Sequence, residues 1–238
     1  ALSSYPEACA QLADQLAQAV HLNCRDRLLD LGCGQGASLL YWQQHYRLRH
    51  IEAVELQAAC VMQIQKHLPD IAAIYPQSFL NLKQISFRQH FDVVLCIDAA
   101  YHCNLNSLLD SVCSVLNSKG RLGFHYLMLS EQWLHLTALQ KQKYKWLLKA
   151  ADVHLEHLMT ASELEQTLQQ HDFGDIEIRD LSKAVLRGFA SYVQHLQQLP
   201  QQGTVMDGLK IRMTAKLCQQ LYHDGLVHYV QISANQKA

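Results

Sequence analysis

The stretch LLDLGCGQGAS, Leu28 through Ser38, constrains the fold of this chain more than any other. An apolar run containing an aspartate leads into glycines at three alternate positions, Gly32, Gly34 and Gly36, and then into residues with helical spacing. The chain has only ten glycines in 238 residues, so three in one turn mark a place where the backbone takes left-handed angles or must be approached closely. Strand, glycine turn and helix in that order put helix N-terminal amides at the carboxyl edge of a sheet, where open α/β sheets bind ligands. A tight turn with no ligand is the plainer alternative.

The flanking sequence supplies the sheet. Helical periodicity covers Glu7–Leu22, with Leu12, Leu16 and Val20 on one stripe. Arg27–Leu31 reads as a strand, Ala37–His45 as a helix, His50–Leu56 (HIEAVEL) as a second strand and Gln57–Leu68 as a helix stopped by Pro69. After Pro76, Gln77–Leu80 is the candidate third strand. Phe91–Asp98 (FDVVLCID) is a continuous apolar run of the kind a buried parallel strand needs. Helix Ser107–Leu116, turn Ser118–Gly120 and strand Arg121–Leu129 complete an alternation that predicts a parallel sheet with helices on both faces. Beyond it, Glu131–Met159 reads as one long helical stretch, and Ser162 caps a helix running to Gln170. Asp175–Leu181 alternates as a strand, Lys183–Leu199 and Val205–His223 are helical, and Leu226–Ser233 is the last strand. The last two strands form a hairpin-like pair separated by the inserted helices.

Composition removes several classes. Lys and Arg number 20 against 21 Asp and Glu, a net charge of −1, which argues against a dedicated nucleic-acid binder. Eight cysteines show no C-x-x-C pair and 14 histidines no H-E-x-x-H spacing, so no metal site is expected. The opening ALSSYPEACAQLADQL lacks the basic and apolar regions of a secretory signal, and no apolar run reaches membrane-spanning length. The expectation is a soluble, cytoplasmic protein forming one domain over residues 1–238.

The glycine turn also narrows the ligand. It reads D-L-G-C-G-Q-G, unlike the G-x-G-x-x-G of dinucleotide sites, and no lysine follows as a P-loop requires. Asp30, ahead of the first glycine, suits a ligand with a positive group better than a diphosphate. Glu55 ends the second strand about 20 residues later, where α/β nucleotide sites place an acid on ribose hydroxyls. A solvated carboxylate at a strand end is its alternative.

DLGCGQG, VEL, FDVVLCIDAAYH and SVLNSKGRLGF, in this order between Arg27 and Leu129, resemble the class I S-adenosylmethionine-dependent methyltransferases, and TASELEQTLQQHDFGDIEIRDL resembles their later helix and sixth strand. The resemblance implies a Rossmann-like, seven-stranded, mostly parallel sheet, with a late helical cap from segments at about 131–159 and 183–223, and S-adenosylmethionine as cofactor. It places Gly32 and Gly34 under the methionine part, Asp30 on the ammonium, Glu55 on both ribose hydroxyls and Leu56 against the adenine. It sets Asn81 where many members have an aspartate facing the adenine amino group; asparagine keeps an acceptor oxygen there. Leu82 would offer a backbone amide to the ring, and Asp98 would lie beside the methionine moiety or cap a helix.

For the reaction, His102 in IDAAYHC follows the fourth strand, where the small-molecule branch of the family, sugar O-methyltransferases among them, carries a histidine base. Some members pair it with an acid on the fifth strand; here that position is Tyr126, or His125 one residue earlier. His102 as a rim contact without proton transfer is the alternative. No N-P-P-Y-like motif and no Pro-Cys pair occurs, which favours a small acceptor over nucleic acid. Trp133, Tyr144, Trp146, Phe189 and Tyr192 could line a lid over the pocket or form the inserts' own core. The expected activity is methyl transfer to an oxygen or nitrogen of a small metabolite. The rivals are methylation of RNA or protein and cofactor binding without catalysis.

Overall fold

The computed structural model describes residues 4–69, 73–196 and 205–237. Its seven strands are β1 (Arg27–Leu31), β2 (His50–Val54), β3 (Ile74–Tyr75), β4 (Phe91–Cys96), β5 (Leu116–Leu129), β6 (Phe173–Asp180) and β7 (Val227–Gln236). They form one sheet in the order β3-β2-β1-β4-β5-β7-β6. The pairs from β3 through β5 are parallel, while β7 runs antiparallel to both β5 and β6. The expected mixed, mostly parallel architecture is therefore present.

Strand alternation feeds two apolar layers. Leu28, Val93 and Leu95 point toward α1 (Tyr5–Ala19), α2 (Ala37–His45) and α3 (Ala58–His67), where they meet Leu16, Trp42 and Ile64. Leu29, Leu31, Val94 and Cys96 point to the opposite face, against α4 (Leu105–Cys113) and α6 (Ala161–Gln170). A central strand of this kind is apolar on both faces, which is why FDVVLC carries no alternation.

Several boundaries differ from expectation. β3 is Ile74–Tyr75 rather than Gln77–Leu80, and it pairs only with Ala53 and Val54. Pro76 has no N–H to continue the ladder, and the next residues turn into a 3-10 segment, Phe79–Gln84. The stretch 131–159 is not one helix. A 3-10 turn at Glu131–His135 gives way to α5 (Ala138–Lys149), because Thr137 and Gln140 form a reciprocal capping box that starts a new helix. Thr160, not Ser162, caps α6, again reciprocally with Glu163. A π-turn at Lys183–Arg187 leads into α7 (Gly188–Leu196), and α8 is Val205–Asp224. The expected helical positions 197–199 lie outside the described residues. No described helix is long and apolar enough to cross a membrane.

The topology decides where the inserted helices leave. β5 ends at Leu129 opposite Val227, the first residue of β7, and β6 ends at Asp180 opposite Val230. Both inserts, after β5 and between β6 and β7, thus depart from the same sheet edge as the glycine turn that follows β1.

Candidate active site

The glycine turn closes on β2. Gly32, Gly34 and Gly36 all have positive φ, at 70°, 54° and 86°, a region that L side chains rarely adopt. Gly32 donates its amide to Val54 O at 2.8 Å, and a Cβ there would sit 2.9 Å from Ala99 Cβ. Gly36 heads α2 in the left-handed conformation, packed against Ile64. Gly34 differs, for a Cβ added to it would meet nothing within 4 Å. The turn is therefore tight on either side and open at its centre.

Two carboxylates anchor it. Glu55, only 6% exposed, accepts from Gly34 N through Oε2 and from Gln57 N through Oε1, both at 2.8 Å. Each oxygen keeps a lone pair for a ligand donor. Asp30, 1% exposed on β1, accepts from Trp42 Nε1 at 2.8 Å. Burial raises the Asp30 pKa to about 6, although the hydrogen bonds from Ser38 and Trp42 pull against it.

Beside the turn, Leu56 is 70% exposed and Asn81 is exposed within the 3-10 segment, whose first residue, Phe79, approaches Gly32. Leu82 departs from expectation. Its side chain is fully buried and its amide donates to Ser111 Oγ of α4 at 3.1 Å, so that N–H is already used. The donor set otherwise fits S-adenosylmethionine: acids for its positive charges and ribose diol, an exposed aliphatic side chain for a flat ring, and open backbone at Gly34.

Asp98, just past β4, takes a left-handed φ of 54° and does not cap the next turn, whose N-cap is Ala99. Its carboxylate instead accepts from the Tyr229 hydroxyl of β7. Burial and Asp98 together hold the Tyr101 and Tyr229 phenols far above their usual range. His102 is exposed in the turn Ala100–His102, with Nδ1 2.9 Å from Asp152 O. A carbonyl can only accept, so Nδ1 carries the proton and Nε2 the free lone pair.

Tyr126 does not belong to this site. Its side chain is 0% exposed, and its hydroxyl donates to His157 O within the core. Strand alternation puts the neighbouring His125 on the other face, opposite Gln231 and beside the Tyr229 ring at a 5.4 Å centroid distance. His125 is also fully buried, both ring nitrogens lack partners, and burial lowers its pKa to about 4. Of the expected lid aromatics, Trp133 and Tyr144 pack edge-to-face within the core layer shared with the sheet, and Trp146 is exposed. Phe189 and Tyr192 of α7 instead meet Tyr5 of α1 at 6.1 and 5.8 Å. Trp42, Tyr5, Tyr101 and Tyr229 are site neighbours that sequence reasoning missed. Trp42 at helical spacing from the turn was the only legible signal, since the others arrive through tertiary contact.

A family model for a methyltransferase domain matches residues 3–178 of this chain. No curated protein matches it. Among solved structures, geranyl diphosphate C-methyltransferase from Streptomyces coelicolor A3(2), crystallised with S-adenosyl-L-homocysteine, is 16% identical with a TM-score of 0.72, covering 95% of this chain and 76% of that one. A cyclopropane synthase from Mycobacterium tuberculosis is 17% identical with a TM-score of 0.78, covering 98% and 86%. Phosphoethanolamine N-methyltransferase 2 from Haemonchus contortus, in complex with S-adenosyl-L-methionine, is 13% identical with a TM-score of 0.77, covering 96% and 53%.

Proposed function

This chain belongs to the class I S-adenosylmethionine-dependent methyltransferases, and on that premise we propose that it methylates an oxygen or nitrogen of a small cytoplasmic metabolite. The observation that carries the reading is the Glu55 carboxylate bound to the Gly34 amide beneath open space. In this reading Glu55 takes the ribose hydroxyls, Leu56 lies against the adenine with Asn81 nearby, and the Gly32–Gly34 backbone lies under the methionine part. Asp30 contributes negative charge from beneath the turn, where low dielectric lets a buried carboxylate act over distance. Asp98 faces the reacting end. When bound, S-adenosylmethionine supplies a methyl already activated by its sulfonium.

The chain's own residues then orient the acceptor, exclude water and move a proton. His102 is the candidate base, with Nε2 available and Nδ1–H fixed on the Asp152 carbonyl. That carbonyl supplies the orientation which an acidic partner gives elsewhere. The inserts 131–159 and 183–223 leave the sheet at this edge and act as the cap. Small acceptors are also what the names of the phosphoethanolamine and geranyl diphosphate enzymes state for those proteins.

The test is to incubate the protein with methyl-labelled S-adenosylmethionine and host extract, then separate small molecules, RNA and protein. Label among small molecules supports the reading; label in RNA or protein overturns the small acceptor, and no label anywhere leaves a binding-only protein. His102→Ala is expected to lower kcat about 10²-fold or more while S-adenosylhomocysteine affinity stays within threefold. Undiminished turnover would leave His102 as a rim contact only.

A further inference from the structure

The surroundings of Asp98 point to the chemistry of the acceptor. Its carboxylate is exposed at the carboxyl end of β4 and accepts from Tyr229. Burial raises the phenols of Tyr5, Tyr101 and Tyr229, Tyr5 to about 12; Cys9 is the larger neighbour acting on Tyr5, and the Asp98 charge adds to all three. Tyr5 in turn packs on Phe189 and Tyr192 of α7. Tyr229 thus binds the acid directly, while Tyr5, Phe189 and Tyr192 form an aromatic cluster between α1 and α7.

Among the described residues Asp98 takes part in no ion pair. The basic group nearest in kind is His125, whose ring stacks obliquely on Tyr229 and whose nitrogens are sealed from solvent without partners. Burial keeps it neutral at physiological pH. A carboxylate within a wall of neutral rings is a site for a positive group, because ring faces attract cations and the acid supplies the opposite charge.

We infer that the acceptor is an amine, held by Asp98 and by the aromatic wall of Tyr5, Tyr101 and Tyr229. This rests on the methyltransferase reading and narrows its oxygen-or-nitrogen acceptor to nitrogen. The bound ammonium first gives a proton to His102 Nε2 or to water; the freed lone pair would then form the new N–C bond as the S–C bond breaks with its pair remaining on sulfur, and the methylated nitrogen carries the positive charge. Asp98 is well placed for this chemistry, since the positive charge passes from sulfur to nitrogen and a carboxylate stabilises it at either atom.

The test compares the wild type with Asp98→Asn and Tyr5→Leu. Each is incubated with methyl-labelled S-adenosylmethionine and the small-molecule fraction of a host extract, and labelled products are split on a strong cation exchanger at acidic pH. S-adenosylhomocysteine affinity is measured by calorimetry on all three. The expected result is label in retained, cationic products, reduced at least tenfold by Asp98→Asn and severalfold by Tyr5→Leu, with S-adenosylhomocysteine affinity changed by less than threefold. Label in unretained neutral or acidic products overturns the amine while leaving the methyltransferase reading intact. Equal loss of S-adenosylhomocysteine affinity in Asp98→Asn makes Asp98 a cofactor residue and also overturns it. Unchanged labelling by Asp98→Asn does the same. Absence of label from all small molecules removes the small-acceptor reading, and this inference with it.

Discussion

At the scale of the residue, Glu55 does two things at once. It fixes the glycine turn through two backbone amides and presents the remaining lone pairs of the same oxygens. Glu55→Gln keeps the size but turns an amide NH₂ toward a backbone N–H, donor against donor. Calorimetry is expected to show S-adenosylhomocysteine bound at least tenfold more weakly, about 1.4 kcal/mol; unchanged affinity would mean the ribose lies elsewhere. Asp30 gives a pH signature instead. With its folded pKa raised to about 6, the native state holds a proton that the unfolded state has released, so stability falls as pH rises from about 4 to about 6 and is level above. The contribution is on the order of 3 kcal/mol. Asp30→Asn should remove this falling limb, measured as the difference between the two proteins' denaturation curves at pH 4, 5, 6 and 7. Parallel curves at every pH would refute the raised pKa.

At the scale of the element, one residue of strand register separates structure from chemistry. Tyr126 and His125 were both legible as β5 residues beside the site, but the pleat sends them to opposite faces. Tyr126→Phe therefore leaves the His157 carbonyl without its partner and is expected to cost about 1–2 kcal/mol in urea denaturation. kcat should stay within twofold of wild type, and a larger fall would restore Tyr126 to the reaction. The same limit explains β3 and the first insert. Gln77–Leu80 looks strand-like, yet Pro76 has already ended the ladder. Leu-, Lys- and Gln-rich sequence over 131–159 supports helix throughout, yet Thr137 and Gln140 restart it. Both are local signals that propensity reading passed over.

At the scale of the whole molecule, the proposed cofactor site joins elements that contribute little without one another: β1, β2, the Phe79–Gln84 turn and the end of β4. Ligand binding to such a site should stabilise the whole fold. S-adenosylhomocysteine at a hundredfold over its Kd adds about 2.7 kcal/mol, which for a chain of this size raises Tm by roughly 5–11 °C. Differential scanning calorimetry with and without the ligand measures it, and no rise at saturation would remove cofactor binding from this protein.

The sequence alone determined the parallel half of the sheet, the glycine turn and the acids at Asp30 and Glu55, because these are local. An apolar run, a glycine that must take positive φ and an acid at a strand end each declare themselves within a few residues. It also showed that two helical segments interrupt the later strands. Only the tertiary structure decided what surrounds Asp98. Tyr229 lies far from Asp98 in sequence and reaches it because antiparallel β7 sits between β5 and β6, while α1 packs on β5 and β7. Contacts between residues so distant in sequence are set by strand order and by the face each side chain takes, and neither leaves a periodic trace in the residues themselves.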